Sequence, residues 1–190
     1  MPNDATSVGV GKPKVGGAVY IAPLGTTLPT DAGTALNEAF ECLGYISEDG
    51  VTISEERDSE SIAAWGGDSV YTTQTSYTET FAFTPIEINP VVAKSQYGDD
   101  NVTVTAGEMV IKHNSSELPA KIIVIETVPN AKTVDRFVVP NAKLTEKGEL
   151  TLSDSDPMGR ESTYTAMPDA SGNTAYEYLT ITGLPADVSK

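Results

Sequence analysis

Residues 44–83 read GYISEDGVTISEERDSESIAAWGGDSVYTTQTSYTETFAF, two extended segments joined by an acidic connection that holds the only tryptophan of the chain. This pattern predicts an oversized β-hairpin. Tight hairpins need only about two to five connecting residues, and long loops in compact domains are usually functional. The connection from about Asp58 to Asp68 is therefore expected to contact a partner, which favours assembly over catalysis.

The return segment from Val70 to Ile88 is the longest predicted strand, because large and polar side chains alternate along it. Odd positions carry Tyr71, Tyr77, Phe81 and Phe83, and even positions carry Thr72, Gln74, Ser76, Thr78 and Thr80. We expect the odd side to pack on a core and the even side to be hydrated. In the preceding segment, SEDG at 47–50 predicts a turn or a bulge.

The rest of the chain predicts closely spaced strands and one short helix. Asn89 and Pro90 suit the N-cap and the first position of a helix that Gly98 would end. The most hydrophobic run, PAKIIVIETV, predicts a central strand at 119–128, and a weak helical turn is predicted at 35–40. The predicted fold is mainly β, a sandwich or barrel of antiparallel strands flanked by one α-helix, with a long hairpin.

Length and hydropathy predict the domain organisation. A chain of 190 residues suits one core, so we expect a flexible N-terminal arm at 1–15, a β domain at 16–183 and a C-terminal tail at 184–190. No segment reaches the roughly 18 consecutive apolar residues of a membrane span, and residues 1–15 lack the apolar run of a secretory signal. We expect synthesis in a cytoplasm and no membrane partner.

The charge balance restricts the possible partners. The formal net charge is -15 and the pI is about 4.2. Such a surface repels nucleic acid phosphates and anionic membranes, so binding to DNA through phosphate contacts is not expected.

Residues with catalytic or metal-binding chemistry are scarce. His113 and Cys42 are the only histidine and the only cysteine, too few for a zinc site, and nothing in the sequence pairs them. His113 is expected in a surface loop, and Cys42 is expected to be buried or half-buried. The Asp-rich segments 99–101 and 154–156 lack the pattern of a calcium loop, so turns are expected there. We expect no enzyme activity, no cofactor and no metal.

Several fragments, in this order and spacing, resemble the major tail (tail tube) proteins of long, flexible-tailed bacteriophages. The fragments are LGYISEDGV at 43–51, AWGGD at 64–68, TETFAF at 78–83, YGDD at 97–100, DASGN at 169–173 and YEY at 176–178. The likeness covers roughly residues 16–183. It implies a β-sandwich or barrel with a flanking helix, hexameric rings that stack into a tube, and a lumen through which DNA is ejected.

The resemblance also implies a location and a set of partners. The protein would be part of the virion tail, assembled in the host bacterial cytoplasm. It would contact other copies of itself, the tail tip or initiator, the tape-measure protein and the tail terminator.

Two sets of residues are hypothesised to serve such a tube. A conduit for DNA must not bind it, so acidic and hydroxyl side chains would line the lumen: Thr52, Ser54, Glu56, Gln74, Ser76, Thr78 and Thr80. Contacts between stacked rings are assigned to the hairpin connection: Arg57, Asp58, Glu60, Ile62, Trp65 and Asp68. Trp65 itself could fold back onto its own hairpin or anchor in a neighbouring subunit.

Two alternative functions stay open at this point. The chain could form the inner tube of a contractile or type VI-like injection machine that carries protein instead of DNA. It could also be a carbohydrate-binding β-sandwich on a virion surface.

Overall fold

A computed structural model describes residues 3–182 of the chain. The elements are β1 (Val19–Pro23), β2 (Glu41–Cys42), β3 (Ile46–Ala63), β4 (Ser69–Pro85), α1 (Pro90–Tyr97), β5 (Val102–Thr105), β6 (Glu108–Ile111), β7 (Lys121–Asn130), β8 (Thr133–Lys147), β9 (Ser162–Ala166) and β10 (Tyr176–Ile181). Short 3-10 helices lie at Ala5–Ser7 and Asp99–Asn101. The prediction of a mainly β fold with one α-helix is confirmed. No helix among the described residues is long and apolar enough to cross a membrane.

Eight of the strands form one antiparallel sheet. Seven of them follow the order β2-β1-β7-β8-β9-β4-β3. The eighth, β10, pairs with residues 133–138 of β8, on the same side of β8 where β9 pairs with residues 142–147. Strands β5 and β6 form a separate hairpin. The prediction of a central strand at 119–128 is confirmed, because β7 lies between β1 and β8. Four consecutive residues of β7, Ile122 to Ile125, are buried, as expected for a strand covered on both faces.

One face of the sheet, here called the core face, packs on the main hydrophobic cluster. Val19 of β1 and Phe81 of β4 belong to this cluster although their strands lie far apart in the sheet, so the sheet curls around it. Helix α1 adds Val92 to the cluster. The helix begins as predicted, because the Asn89 side chain accepts a hydrogen bond from the Val92 N–H at 2.9 Å, and it ends at Gly98, where φ is 86°.

Within residues 3–182, the opposite face is covered only over β1, β7 and β8. A second cluster there contains Phe40, Ile122, Val124 and Val138. The segment 24–40 contributes to this cover without a regular helix. The helical turn predicted at 35–40 is present only as a single hydrogen-bonded turn, in which the Phe40 N–H donates to the Asn37 carbonyl at 3.0 Å. The Asn37 side chain accepts the Ala39 N–H at 2.9 Å, which favours a turn over a helix.

A buried ion pair fixes this cover to the sheet. Arg136 on β8 is 1% exposed and Glu126 on β7 is 2% exposed, and they pair across the two strands. The guanidinium also donates to the backbone carbonyls of Asp31 at 2.5 Å and Thr34 at 2.9 Å. Lys14 contacts the second oxygen of Glu126 at 3.0 Å, which attaches the N-terminal segment to the same network.

The N-terminal segment lies beside β7. Val10 N–H donates to the Pro129 carbonyl, and Lys14 N–H donates to the Glu126 carbonyl. The division into a flexible arm, a β domain and a tail stays a prediction, and the tail at 184–190 lies outside the described residues.

The most consequential difference from the sequence prediction concerns the hairpin. Residues 58–63 were assigned to a long connection, but β3 continues to Ala63 and pairs with β4 up to Ser69. Only residues 64–68 connect the strands, and the turn is closed by Gly66 and Gly67 at φ of 119° and 97°. The DSESIAA segment has no strand-forming pattern of its own, but the neighbouring β4 satisfies its backbone hydrogen bonds.

Candidate assembly surfaces

A surface rich in hydroxyl groups, on which Glu56 lies beside Thr78, covers the face of β9, β4 and β3 opposite the core face. Phe81, Phe83 and Tyr164 point into the core, so the residues between them lie on the other side. We call this surface the hydroxyl face; its members are Thr52, Ser54, Thr78, Thr80, Thr163 and Thr165, and cross-strand pairing aligns Ser54 with Thr80 and Thr80 with Thr165. The covering segment 24–40 packs at the other end of the sheet.

The pairing of β3 with β4 agrees with the predicted side-chain alternation near the core. The bulge predicted at 47–50 is confirmed, because pairing jumps from Ile46–Pro85 to Val51–Phe83 and Gly50 has a φ of 71°. After this jump Glu56 pairs with Thr78, so Thr52, Ser54 and Glu56 share a face with Thr78 and Thr80.

The even-numbered polar residues of β4 were predicted to share one face, but Gln74 does not lie on it. A second register shift makes Asp58 pair with Ser76 but Ser59 pair with Gln74. The Ser76 hydroxyl donates to Asp58 at 2.6 Å, whereas the Gln74 side-chain oxygen lies 3.5 Å from Arg57, on the opposite face. Gln74 therefore does not share the face of Ser76, and the strict alternation expected for this segment is wrong beyond the bulge.

Sequence reasoning missed the contribution of β9 and β8 to the hydroxyl face. Thr163 and Thr165 flank the buried Tyr164, and the Thr165 hydroxyl lies 2.9 Å from that of Thr145 on β8. The alternation in STYTA at 162–166 was a usable signal for a strand. The alternation does not show which strands lie next to this one in the sheet.

Beyond the core the β3–β4 hairpin is a free ribbon. Every residue from 52 to 76 is exposed. At a rise of about 3.3 Å per residue, residues 57–63 extend about 23 Å. Surface contacts within the ribbon stiffen it: Arg57 pairs with Glu55 at 2.9 Å and lies over the Tyr77 ring at 4.4 Å.

The tip of the ribbon is apolar. Trp65 is 107% exposed, and Ile62, Val70 and Tyr71 beside it are each more than half exposed. Large apolar side chains grouped in this way mark a contact surface more often than an ordinary solvent-facing turn. Of the residues assigned to the ring contact, Arg57, Asp58, Glu60 and Ile62 lie in β3, whereas Trp65 and Asp68 lie in the turn.

A groove of about 1190 Å³ opens on the core face, between the N-terminal segment, the start of β3 and the β7-β8-β10 part of the sheet. We call it the core-side groove. Its floor includes Ile125, Phe137 and Leu179, and Leu179 is 50% exposed. Asp135 also lines it and is 7% exposed, yet its Oδ1 has no hydrogen-bond partner among the described residues.

Asp135 should make the isolated chain less stable at neutral pH. Burial, and secondarily the nearby Glu177 carboxylate, raise the pKa of Asp135, while a hydrogen bond with Thr127 acts in the opposite direction. Because the folded-state pKa is raised, the contribution of this carboxyl group to stability is fully present below its ordinary pKa of 3.8 and is lost as the pH rises through the raised pKa. Asp135→Asn should therefore raise the Tm at pH 7, and the difference from wild type should vanish below the ordinary pKa. An equal Tm difference at both pH values would contradict this.

The histidine, the cysteine and the two Asp-rich segments lie in ordinary surroundings. His113 is exposed against the Tyr97 ring, with 4.4 Å between centroids, and Cys42 is half-buried, both as predicted. The segment 99–101 is a 3-10 turn in which Asp99 pairs with Lys121, and Asp156 accepts hydrogen bonds from Ser153 and Ser155. No group of three potential metal ligands is found within residues 3–182.

Comparison with known protein families decides the identity of this fold. A family model described as phage tail tube protein matches residues 5–187 of the chain. The chain belongs to the phage tail tube protein family. It is a structural protein of the virion tail, as the resemblance implied. No curated protein matches it significantly.

Proposed function

We propose that copies of this tail tube protein close into hexameric rings, that the rings stack into the tail tube, and that the hydroxyl face lines the lumen through which DNA is ejected. The observation that supports the proposal is this face: polar side chains, mostly uncharged, continue across three strands on a surface that the described part of the chain leaves uncovered. Thr52, Ser54, Glu56, Ser76, Thr78 and Thr80 keep the lumen role assigned to them, and Thr163 and Thr165 join them.

The chemistry of this face suits passage of DNA without binding. Each phosphate contact in the lumen would be repeated in every subunit, so even a weak attraction would add resistance along the whole tube. Threonine and serine hydroxyls keep a surface hydrated without attracting phosphates, and Glu56 repels them. At the β8 border, the one lysine beside Thr165, Lys143, is paired with Glu117.

Ring closure needs an edge that a neighbouring copy can extend. The outer edge of β3 has no partner strand among the described residues, and the same holds for the free edge of β10. Exposed strand edges pair readily with other chains. In a ring with rotational symmetry, each copy pairs one of these two edges with each of its neighbours, so both edges are paired in every copy. We assign the contact within a ring to these edges.

Stacking of rings is assigned to the projecting hairpin. Arg57, Asp58, Glu60, Ile62, Trp65 and Asp68 keep this proposed role, but as parts of a stiff two-stranded ribbon instead of a loop. A ribbon that extends about 23 Å reaches beyond its own subunit. Three other tail proteins would contact the tube: the tail tip or initiator at the first ring, the tape-measure protein in the lumen and the tail terminator at the last ring. Assembly would take place in the host cytoplasm. We propose no catalytic activity.

Electron microscopy of the purified protein at rising concentration tests this function. We expect rings and stacked tubes of constant diameter. Monomers alone, even after addition of the tail initiator, would contradict the proposal.

Lysine on the hydroxyl face should slow DNA ejection. Glu56→Lys and Thr78→Lys place a cation in every subunit, and ejection from phage carrying them should be about tenfold slower or more at low salt. Higher salt should reduce the effect, because phosphate contacts release counterions. The measurement is the rate of DNA release from purified phage triggered by receptor.

Ser59→Lys is the matched control for Thr78→Lys. It makes the same change of charge in the same hairpin but on the opposite face, where Ser59 pairs with Gln74. Tubes should form in all three variants. Equal ejection rates for Thr78→Lys and Ser59→Lys would show that the hydroxyl face does not line the lumen.

A further inference from the structure

Three cations surround Tyr97, the last residue of helix α1. The Lys147 ammonium lies 4.7 Å from the centre of the Tyr97 ring, and the Arg160 guanidinium lies 5.6 Å from it and donates to the Tyr97 hydroxyl at 3.1 Å. Lys112 lines the same small pocket as Tyr97 and Lys147. We call Lys112, Lys147 and Arg160 the basic cluster. The aromatic ring holds two of these cations in place without neutralising them.

Unpaired cations are scarce on this acidic chain. It has 12 lysines and arginines against 27 acidic residues. Eleven of the 12 lie within residues 3–182, and five of those are ion-paired. Three of the remaining six form the basic cluster, so this one site holds half of the lysines and arginines that are unpaired within the described part of the chain.

A small polar pocket lies between Lys112 and Lys147. Its volume is about 40 Å³, and the Ser116 side chain also lines it. One water molecule needs about 10–15 Å³ of such a cavity, so a group of the size of a carboxylate fits. Two ammonium groups and a hydroxyl are donors that suit an anion.

The carboxylates near the basic cluster do not line this pocket. The acidic residues within three positions of the cluster or of Tyr97 are Asp99, Asp100, Glu146, Glu149 and Glu161. Asp99 is paired with Lys121, and Glu146 lies beside Thr163 on the hydroxyl face. Glu161 lies beside Gly148, and Asp100 and Glu149 are exposed. The pocket lining therefore combines two lysines with no acidic residue.

The β3–β4 ribbon carries the opposite charge on one face. Glu56, Asp58 and Glu60 alternate along β3 and share a face, since the second register shift adds its extra residue, Thr75, to β4. None of these three carboxylates is ion-paired within the described residues, and Arg57, the only cation of the ribbon, lies on the other face. The outer two, Asp58 and Glu60, belong to the residues assigned to ring stacking. We call Asp58 and Glu60 the acidic stripe.

The acidic stripe and the basic cluster lie at opposite ends of the same strands. Strand β4 runs from the ribbon to Pro85, whose carbonyl accepts a hydrogen bond from the Arg160 N–H at 2.9 Å. Lys147 pairs with Ser162 at this same end of β8 and β9. The ribbon leaves the sheet at the other end, beyond Glu79, where the pairing of β4 with β9 stops. Copies arranged end to end along the strands bring the stripe of one copy to the cluster of the next.

We infer that the acidic stripe of one copy binds the basic cluster of a copy in the next ring. A carboxylate of Asp58 or Glu60 occupies the pocket between the two lysines. This inference rests on the proposed function and names the receptor for its stacking contact. The two surfaces are different patches of one chain, so the contact is head-to-tail and leaves a free stripe and a free cluster at the ends. Such a contact adds further copies without limit, as stacking into a tube requires.

Reversing the charges on both sides tests the contact at constant net charge. Lys112→Glu with Lys147→Glu should raise the protein concentration at which tubes form about tenfold or more, since like charges then face each other. Asp58→Lys with Glu60→Lys should do the same. The chain with all four changes should form tubes near the wild-type concentration, because a basic stripe then meets an acidic pocket. No recovery in this fourfold variant would overturn the inference.

The Tm of the free chain distinguishes loss of the contact from loss of the fold. Lys147 donates to the Gln96 carbonyl at 3.3 Å, so its replacement can lower the Tm. Lys112 is exposed, and Lys112→Glu alone should keep the Tm and raise the concentration for tube formation about threefold or more. Unchanged tube formation by Lys112→Glu would remove the pocket from the contact.

Lys12→Glu with Lys132→Glu is the matched control. It makes the same change of charge at two exposed lysines outside the cluster, neither of which is ion-paired within the described residues. This variant should form tubes at the wild-type concentration. A loss equal to that of Lys112→Glu with Lys147→Glu would show that net charge limits assembly and would overturn the inference.

The outcomes separate this inference from the proposed function. Normal tubes from a folded chain with Lys112→Glu and Lys147→Glu would overturn the basic cluster as receptor and leave the tail tube function standing. Absence of tubes from wild type would contradict the proposed function itself.

Carbodiimide cross-linking identifies the occupant. The reagent joins a carboxylate directly to an amine with loss of one water, so only groups in contact react. Tubes assembled from isotope-labelled and unlabelled chains should give peptides in which Asp58 or Glu60 of one copy is joined to Lys112 or Lys147 of another. Mass spectrometry distinguishes the copies. Capture of a carboxylate from residues 183–190, or links within one copy only, would overturn the inference.

Discussion

Replacing Arg136 by Met should lower the free energy of unfolding of the isolated chain by about 3–5 kcal/mol. The substitution keeps the apolar stem of the side chain but leaves the Glu126 carboxylate buried without its guanidinium. It also removes the donors to the carbonyls of Asp31 and Thr34. Lys14 still contacts Glu126, so the loss should lie toward the lower end of this range. Denaturant unfolding at pH 7 in a Trp65→Ala background measures it without interference from assembly.

Lys143→Met is the matched control for the buried pair. It also removes the cation of an ion pair, but Glu117, its partner, is 79% exposed, and surface pairs contribute about 0–1 kcal/mol. Adding Glu126→Gln to Arg136→Met should recover part of the lost stability, because no buried charge is then left unpaired. Equal losses from Arg136→Met and Lys143→Met would contradict the assigned role of the buried pair.

Replacing Trp65 by Ala should abolish tube formation at concentrations where wild type assembles fully. Central aromatic residues of an interface contribute about 2 kcal/mol or more, which is about 30-fold in the affinity of one contact. Each subunit of a ring makes the same contact, so the loss is repeated around the ring. The Tm of the free chain should not change, because the side chain is fully exposed and contributes no packing. Sedimentation and electron microscopy measure assembly.

Leu152→Ala is the control for Trp65→Ala, since Leu152 is an exposed apolar residue, 72% accessible, outside the hairpin. It should assemble as wild type does. Tubes of normal length from Trp65→Ala would show that the tip makes no stacking contact. A fall in the Tm of free Trp65→Ala would show that the tip packs on its own subunit.

The hairpin shows how far sequence reasoning reaches. The bulge near Gly50 was predicted because an Asp-Gly pair favours positive φ. Nothing in TTQTSYT marks the second bulge, since its residues all suit a regular strand, and so the side of Gln74 was predicted wrongly. The end of β3 was also missed, because residues 58–63 are held in a strand by β4 and not by their own propensity.

Arg136 and Asp135 show what the sequence did not reveal. Both are charged residues, which are usually expected at the surface. The contacts that bury Arg136 come from residues 10 and about 100 positions away. The core-side groove likewise joins parts of the chain that are far apart in sequence: residues 7–18, 42–53, 125–137 and 177–181.

The sequence by itself determined the mainly β fold, the hairpin, the capped helix at Asn89, the acidic charge and the family resemblance. These depend on spacing and capping over a few residues, or on composition. Only the tertiary structure decided where β3 ends, which polar residues share the hydroxyl face, and that Arg136 is buried. It also decided that Asp135 is buried with one carboxylate oxygen that has no hydrogen-bond partner among residues 3–182. These depend on strand register and burial, which are set by contacts between residues distant in the chain.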